Sequence, residues 1–133
     1  DHGKIISNDQ FLIANDETNA SLEKKAAQAA TKLLIKTLPE FIAGKIVPWE
    51  QDHAAATFTK KFATADAEVD FIHDEPLTVY RKIQAFTPEP GVWTRSFPGR
   101  EGKRVKLLEA SMEQNMIHIR KIQVEGKKPI TID

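Results

Sequence analysis

Residues 84–91, QAFTPEPG, limit the possible fold more than any other stretch of the chain. Pro88 has no amide hydrogen and cannot extend a helix, and it drives Thr87 out of the α region. Pro90 and Gly91 then re-aim the chain toward Val92 and Trp93, residue types suited to a strand. A helix running into Phe86 must stop there, and a small β element must begin within a few residues. The sequence predicts a rigid corner joining helix to sheet.

On the near side of the corner, DEPLTVYRKIQAF predicts a helix with Asp74 as N-cap and Pro76 in the first turn. Its buried stripe would be Leu77, Tyr80, Ile83 and Phe86. On the far side, GVWTRSF, RVKLLEASM and MIHIRKIQV predict three strands, with loops at 98–103 and 113–115. Ile117 and Ile119 do not share one alternation with Ile122 and Val124, which predicts a bulge or register change.

Nearer the start, residues 4–7 and 11–14 read as strands or strand ends parted by the turn-prone Asn8-Asp9. Thr18 or Asn19 offers an N-cap, and Leu22, Ala26, Ala29 and Leu33 follow the helical period. Leu34 and Leu38 widen that stripe, Pro39 breaks it, and Gly44 suits a terminating turn. Full burial of Leu22, Leu33, Leu34 and Leu38 would contribute roughly 6–12 kcal/mol before ordering costs. Two short strands are a thin platform for such a helix. The stripe is expected to pack on a neighbouring copy or on the start of the β region. Between residues 47 and 70 the periodicity fades, and a connector with a turn or two of helix around 58–62 is expected.

The 133 residues contain no cysteine, which excludes disulfides and thiolate chemistry and fits a reducing, cytoplasmic setting. No apolar run is long enough to span a membrane, so no membrane partner is expected. The sequence starts at Asp1 without an initiator Met, leaving processing, trimming or a partial chain open. Asp70, His73 and Asp74 form the only loose metal-like grouping, and a helix start explains Asp74 equally well. No metal is expected. There is no Gly-rich phosphate loop and no GxSxG elbow.

Charge is divided unevenly. Residues 1–70 hold 8 Lys/Arg against 11 Asp/Glu, and residues 71–133 hold 11 against 8. A basic second half suits a polyanionic partner, although an evenly solvated surface explains the same count. Arg95, Arg100, Lys103, Arg104 and Lys106 cluster around one β turn. Lys127 and Lys128 form a second group with Arg120 and Lys121, and the helix adds Arg81 and Lys82. Trp93 beside basic loops resembles a nucleic-acid surface, or else is simply core.

Several motifs occur in order: DHGKII, DETNASL, the Gln51-Asp52 pair, ATFTKKF, VDF, IQAFTPEPG and IQVEGKKPI. Together they resemble the C-terminal half of the methionyl-tRNA formyltransferase family, over essentially the whole chain. The resemblance implies an α+β chain. Residues 1–46 would be the C-terminal edge of a Rossmann-like formyltransferase domain with one long helix, and 47–66 a linker. Residues 67–133 would be a shortened OB-like β-barrel preceded by a helix.

It also implies transfer of a formyl group from 10-formyltetrahydrofolate to the amino group of methionyl initiator tRNA. Asp1 would be the catalytic aspartate that supports a histidine. The family's catalytic Asn and His and its S-L-L-P-x-x-R-G folate segment are not in this sequence. The chain alone is therefore expected to be inactive, to bind no folate, and to act at most as a tRNA-holding module. The nucleic-acid-binding set would be Arg81, Lys82, Arg95, Arg100, Lys103, Arg104, Lys106, Lys127 and Lys128.

Two departures stand out. Gln84 replaces a usual arginine, and the chain is short between Ser111 and Met116, which implies a barrel open at an edge. Self-association through that edge or through the apolar helix face is expected. A sugar-nucleotide formyltransferase, and a stand-alone RNA-binding or interaction module, are the other readings.

Overall fold

Helix α1 covers Asn19–Ile42 and runs through Pro39, so the proline does not end it. Proline removes one amide donor and crowds the carbonyl four residues back, a cost that a place in the last turn limits. The helix ends one turn later. Gly44 N donates to Phe41 O at 3.0 Å and Lys45 N to Glu40 O at 2.9 Å, with Gly44 at φ +69°. This paired closure uses a left-handed residue that glycine adopts without steric cost.

The computed structural model describes residues 2–132; Asp1 lies outside them. The chain forms two units, residues 1–15 with 21–60 and residues 16–20 with 61–133. In the first, α1 has no buried residue. Leu22, Ala26, Ala29 and Leu33 are half-buried along the expected stripe, whereas Leu34, Ile35, Leu38 and Ile42 are exposed. The stabilisation expected from burying four leucines is not realised in this chain. Residues 4–7 and 11–14 form no strand. Ile5 makes a single antiparallel bridge to Trp49, with N···O distances of 2.9 and 3.0 Å. Residues 58–62 are not helical either. Short 3-10 helices lie at His53–Ala55 and Thr64–Ala67 instead.

In the second unit, α2 covers Pro76–Phe86 and packs on an antiparallel sheet of order β1-β2-β3-β4. The strands are β1 (Trp93–Thr94), β2 (Val105–Glu113), β3 (Met116–Val124) and β4 (Ile130–Thr131). Two helices and an open four-stranded sheet make the chain α+β. The fourth strand was not legible in the sequence. The corner forms as expected: Thr87 is extended, with ψ 128°, and Gly91 N closes back on Phe86 O at 2.8 Å. Gly91 sits at φ +82°, a left-handed conformation that glycine adopts without steric cost, while a Cβ there would only reach ordinary contact with Pro88 O at 3.4 Å. The Thr87-Pro88 and Glu89-Pro90 bonds are both cis.

The core is Val69, Val79, Ile83, Val92, Val105, Leu107 and Ile122, with Phe71, Phe86 and Phe97 packed against it. Burying each of these aliphatic side chains contributes about 1.5–3 kcal/mol before ordering costs. On α2, Val79 takes the buried place expected of Leu77, which is 46% exposed. Asp74 is not the helix cap. Glu75 holds that position without a side-chain bond, and Asp74 closes a turn by accepting from Asp70 N at 2.9 Å.

Candidate nucleic-acid interface

The β2–β3 pairing fixes where the basic side chains stand. Val105 pairs with Val124 and Leu107 with Ile122; after an irregularity at Glu109, Ala110 pairs with Ile119 and Met112 with Ile117. Both strands change the parity of their core-facing residues at the same level, so register is unchanged across the irregularity. That double change is the physical content of the mismatch between Ile117/Ile119 and Ile122/Val124. Below it, Lys106 stands opposite Gln123, on the face away from the buried Val105 and Leu107.

Beyond β1, two turns in succession shape the basic loop. Arg100 N donates to Phe97 O at 2.9 Å, Lys103 N to Arg100 O at 3.1 Å, and Gly102 N to Arg95 O at 3.0 Å. After β3, Lys127 N donates to Val124 O at 2.9 Å, and Gln123 Nε2 to Lys127 O at 3.0 Å. These turns face each other across a cleft of about 580 Å³ lined by Gly99, Arg100, Glu101, Lys103, Lys127 and Lys128, among others. Two basic groups 24 residues apart thus share one concave surface. Glu101 is the only acid lining it among the described residues. Its carboxylate accepts from Gly99 N at 2.8 Å, and backbone donors, its own amide first, hold it below the usual glutamate range. A second cleft, of about 210 Å³, is lined by Arg104, Lys106, Gln123, Glu125 and Gly126.

The remaining residues of the expected set stand elsewhere. Arg104 and Arg95 lie over the Trp93 ring, with the guanidinium carbons 4.3 and 5.6 Å from its centroid. Trp93 is buried, and its Nε1 donates to Thr64 O at 2.9 Å. The ring is core and a seat for arginines, not a free stacking platform. Lys82 Nζ donates to Glu68 O at 2.9 Å on α2, and Arg81 is exposed on the same helix; neither lines the two basic clefts. Gln84, where the family resemblance expects arginine, donates to Tyr80 Oη at 3.1 Å.

Sequence reasoning missed a polar network beside β1. Asp70 Oδ2 meets His73 Nδ1 at 2.8 Å, while Asp70 Oδ1 accepts from Ile72 N at 2.8 Å and Ser96 Oγ at 3.0 Å. Ser96 Oγ in turn accepts from Phe71 N at 2.9 Å and meets the buried Thr94 Oγ1 at 3.0 Å. Serine, aspartate and histidine are present, but the aspartate sits between the other two. A nucleophile needs its base in direct contact, so this is a clasp fastening the 70–74 turn to the loop after β1. Asp70 and Ser96 are 26 positions apart, and no local spacing could have paired them.

In the first unit, the bridge between Ile5 and Trp49 is reinforced by a Lys4–Glu50 ion pair at 2.9 Å and by Gln51 Nε2 donating to Gly3 O. The catalytic assignment to Asp1 falls outside the described residues.

Comparison with known proteins bears on this surface. The family described as "Formyl transferase, C-terminal domain" matches residues 61–116. A methionyl-tRNA formyltransferase of Kosmotoga olearia is 31% identical over 154 aligned positions, covering 99% of this chain and 49% of that protein. Those of Phenylobacterium zucineum and Chlamydia muridarum are each 34% identical, covering 85% and 86% of the chain and 36% of each relative. The chain thus spans half or less of the relatives it matches. Residues 61–116 are similar to the C-terminal domain of formyl transferases, and the chain as a whole is similar to a part of the methionyl-tRNA formyltransferases, as its motifs indicated.

Proposed function

We propose that this chain is the RNA-holding part of a methionyl-tRNA formyltransferase-like protein, and that its second unit grips the acceptor RNA by its phosphates. The observation that carries this reading is the cleft shared by Arg100, Lys103, Lys127 and Lys128, which gathers four cations around one carboxylate. Lys106 and Arg104 extend the positive surface into the neighbouring cleft. Trp93 is occupied by arginines, so recognition rests on phosphate contacts rather than on base stacking. On this reading the sheet is the shortened counterpart of the family's OB-like barrel, residues 47–66 link it to the edge of a catalytic domain, and the protein works in the cytoplasm.

The whole reaction would transfer a formyl group from 10-formyltetrahydrofolate to the amino group of methionyl initiator tRNA. The folate supplies the activated formyl carbon. The segment that the resemblance implies for holding it is not in this sequence, so no folate contact is assigned to this chain. Asp1 is the one residue here proposed to act in the chemistry, by orienting a histidine and favouring its charged form. The 133 residues alone would transfer no formyl group. In a protein that joins them to the catalytic segments, Asp1→Asn would lower turnover while leaving tRNA affinity unchanged.

The test is tRNA binding across a salt series. With four phosphates neutralised, affinity should fall by roughly a hundredfold between about 50 and 200 mM salt. Lys127→Glu with Lys128→Glu should weaken binding and flatten that slope, while Lys36→Glu on α1 should change neither. Salt-insensitive binding, or equal effects of the two variants, would overturn the reading. Tighter binding of a sugar nucleotide than of tRNA would move the acceptor to that class.

A further inference from the structure

We infer that the cleft between Arg104 and Glu125 is a seat for one unpaired guanine of the RNA, read along its Watson–Crick edge. The inference rests on the RNA reading above and adds base selection to the phosphate grip. It starts from a carboxylate that a phosphate site does not use. The backbone bond from Glu125 N to Arg104 O at 2.9 Å carries the β2–β3 ladder one step past the Val105–Val124 pair. Arg104 and Glu125 therefore stand opposite each other, and alternation puts them on the face of Lys106 and Gln123. These four side chains and Gly126 line the cleft of about 210 Å³.

Elsewhere on this hairpin, opposite charges on facing strands join: Lys121 meets Glu109 at 3.2 Å and Arg120 meets Glu113 at 2.7 Å. Arg104 and Glu125 do not. The Arg104 guanidinium lies 4.3 Å over the Trp93 ring, and its buried Nε has no hydrogen-bond partner among the described residues. Trp93 is itself fixed by its bond to Thr64 O, so the arginine is held on its own side of the cleft. Among the described residues, the exposed Glu125 carboxylate and Lys106 ammonium have no hydrogen bond or ion pair either. An open carboxylate beside two cations weakens a phosphate grip by repulsion. What it favours is a ligand that turns donors to the carboxylate and an acceptor to the cations.

That pattern selects among the bases. A carboxylate offers two acceptor oxygens and no donor. Guanine presents two neighbouring donors, N1–H and the N2 amino group, with the O6 acceptor next to them. Glu125 can accept from both donors, one per oxygen, while Lys106 or Arg104 donates to O6. Uracil sets its single donor between two acceptors, and adenine and cytosine each present one amino group beside an acceptor. Each of these leaves one carboxylate oxygen unmatched. The Watson–Crick edge is free only in an unpaired base, so the target is a guanine in a single strand, loop or bulge. Gln123 Nε2 donates to Lys127 O at 3.0 Å, which ties this cleft to the turn carrying the phosphate-binding lysines.

Fluorescence anisotropy of the full 133-residue chain tests this, with labelled oligouridine strands about nine nucleotides long whose central base is G, A, C or U. All four strands carry the same phosphates. The guanine strand should bind about tenfold more tightly than the others. Replacing guanine by hypoxanthine, which lacks the N2 amino group, should remove most of that margin. Glu125→Gln, at an exposed position, should abolish the margin without weakening the other three strands, with circular dichroism to verify folding. Lys127→Glu with Lys128→Glu should weaken all four and keep their ratio. Equal, strongly salt-dependent binding of the four strands would overturn the guanine seat and leave the RNA reading standing. So would a guanine margin that Glu125→Gln leaves intact. Salt-insensitive binding, or no binding of any strand, would overturn the RNA reading and the seat with it.

Discussion

At the residue scale, Asp70 fastens the 70–74 turn to the loop after β1. His73, Ile72 N and Ser96 all bond its carboxylate, and they lower its pKa from 3.8 to about 2, the bond to His73 contributing most. The same bond raises His73 above its ordinary 6.5. The two effects run in opposite directions with pH. Asp70, with its folded value depressed, stabilises the fold above about 4, and that contribution is lost as pH falls from 3.8 toward 2. His73, with its folded value raised, contributes fully below 6.5 and loses that contribution as pH rises through its folded value. The clasp should therefore stabilise most between about pH 4 and 6.5. Denaturant midpoints measured across pH should show His73→Gln removing the alkaline decline and shrinking the acid one. An unchanged alkaline limb would mean that His73 does not share a proton with Asp70 in the folded state.

At the element scale, the β2–β3 hairpin shows what local sequence does and does not specify. The strands and the loop at 113–115 were legible, because β-branched and apolar residues alternate on either side of a polar break. The turn reduces to two residues, Gln114 at φ 49° and Asn115 at φ 63°, both left-handed as a two-residue hairpin requires. Asparagine tolerates that region; glutamine has no local hydrogen bond that favours it. Gln114→Asn combined with Asn115→Gly should raise stability by about 0.5–1 kcal/mol, read as a shift in denaturant midpoint at constant slope. The coordinated parity change at Glu109 was legible on β3 alone; that β2 shifts with it could be known only from the pairing. Strand β4 escaped notice because two residues carry no alternation, and Asp74 was misassigned because an acid before a proline-led helix is a cap in most contexts. Here Asp70 N reached it first.

At the scale of the whole molecule, the packed core and the basic clefts belong to the second unit. The seven core residues fall between Val69 and Ile122, and α1 contributes none. The sequence announced α1 as the strongest element, since periodicity reports what a helix would bury and not whether a partner is there to receive it. The first unit leaves an apolar hollow of about 240 Å³ lined by Ile6, Leu33, Leu34, Leu38 and Phe41. The basic site was half legible: its residue types and both clusters could be read, but their convergence on one cleft depends on the β2–β3 register.

Stability should be divided in the same way. Ile83→Ala, at a buried position facing the sheet, should cost about 2–4 kcal/mol, and Leu38→Ala, at an exposed one, less than about 1. A polypeptide of residues 61–133 should unfold cooperatively with a midpoint close to that of the sheet signal in the full chain. The helix of residues 1–60 should melt separately and over a broader range, because an unburied helix has little tertiary packing to hold it. A single transition shared by helix and sheet signals, with Leu38→Ala costing as much as Ile83→Ala, would mean that the two units stabilise each other.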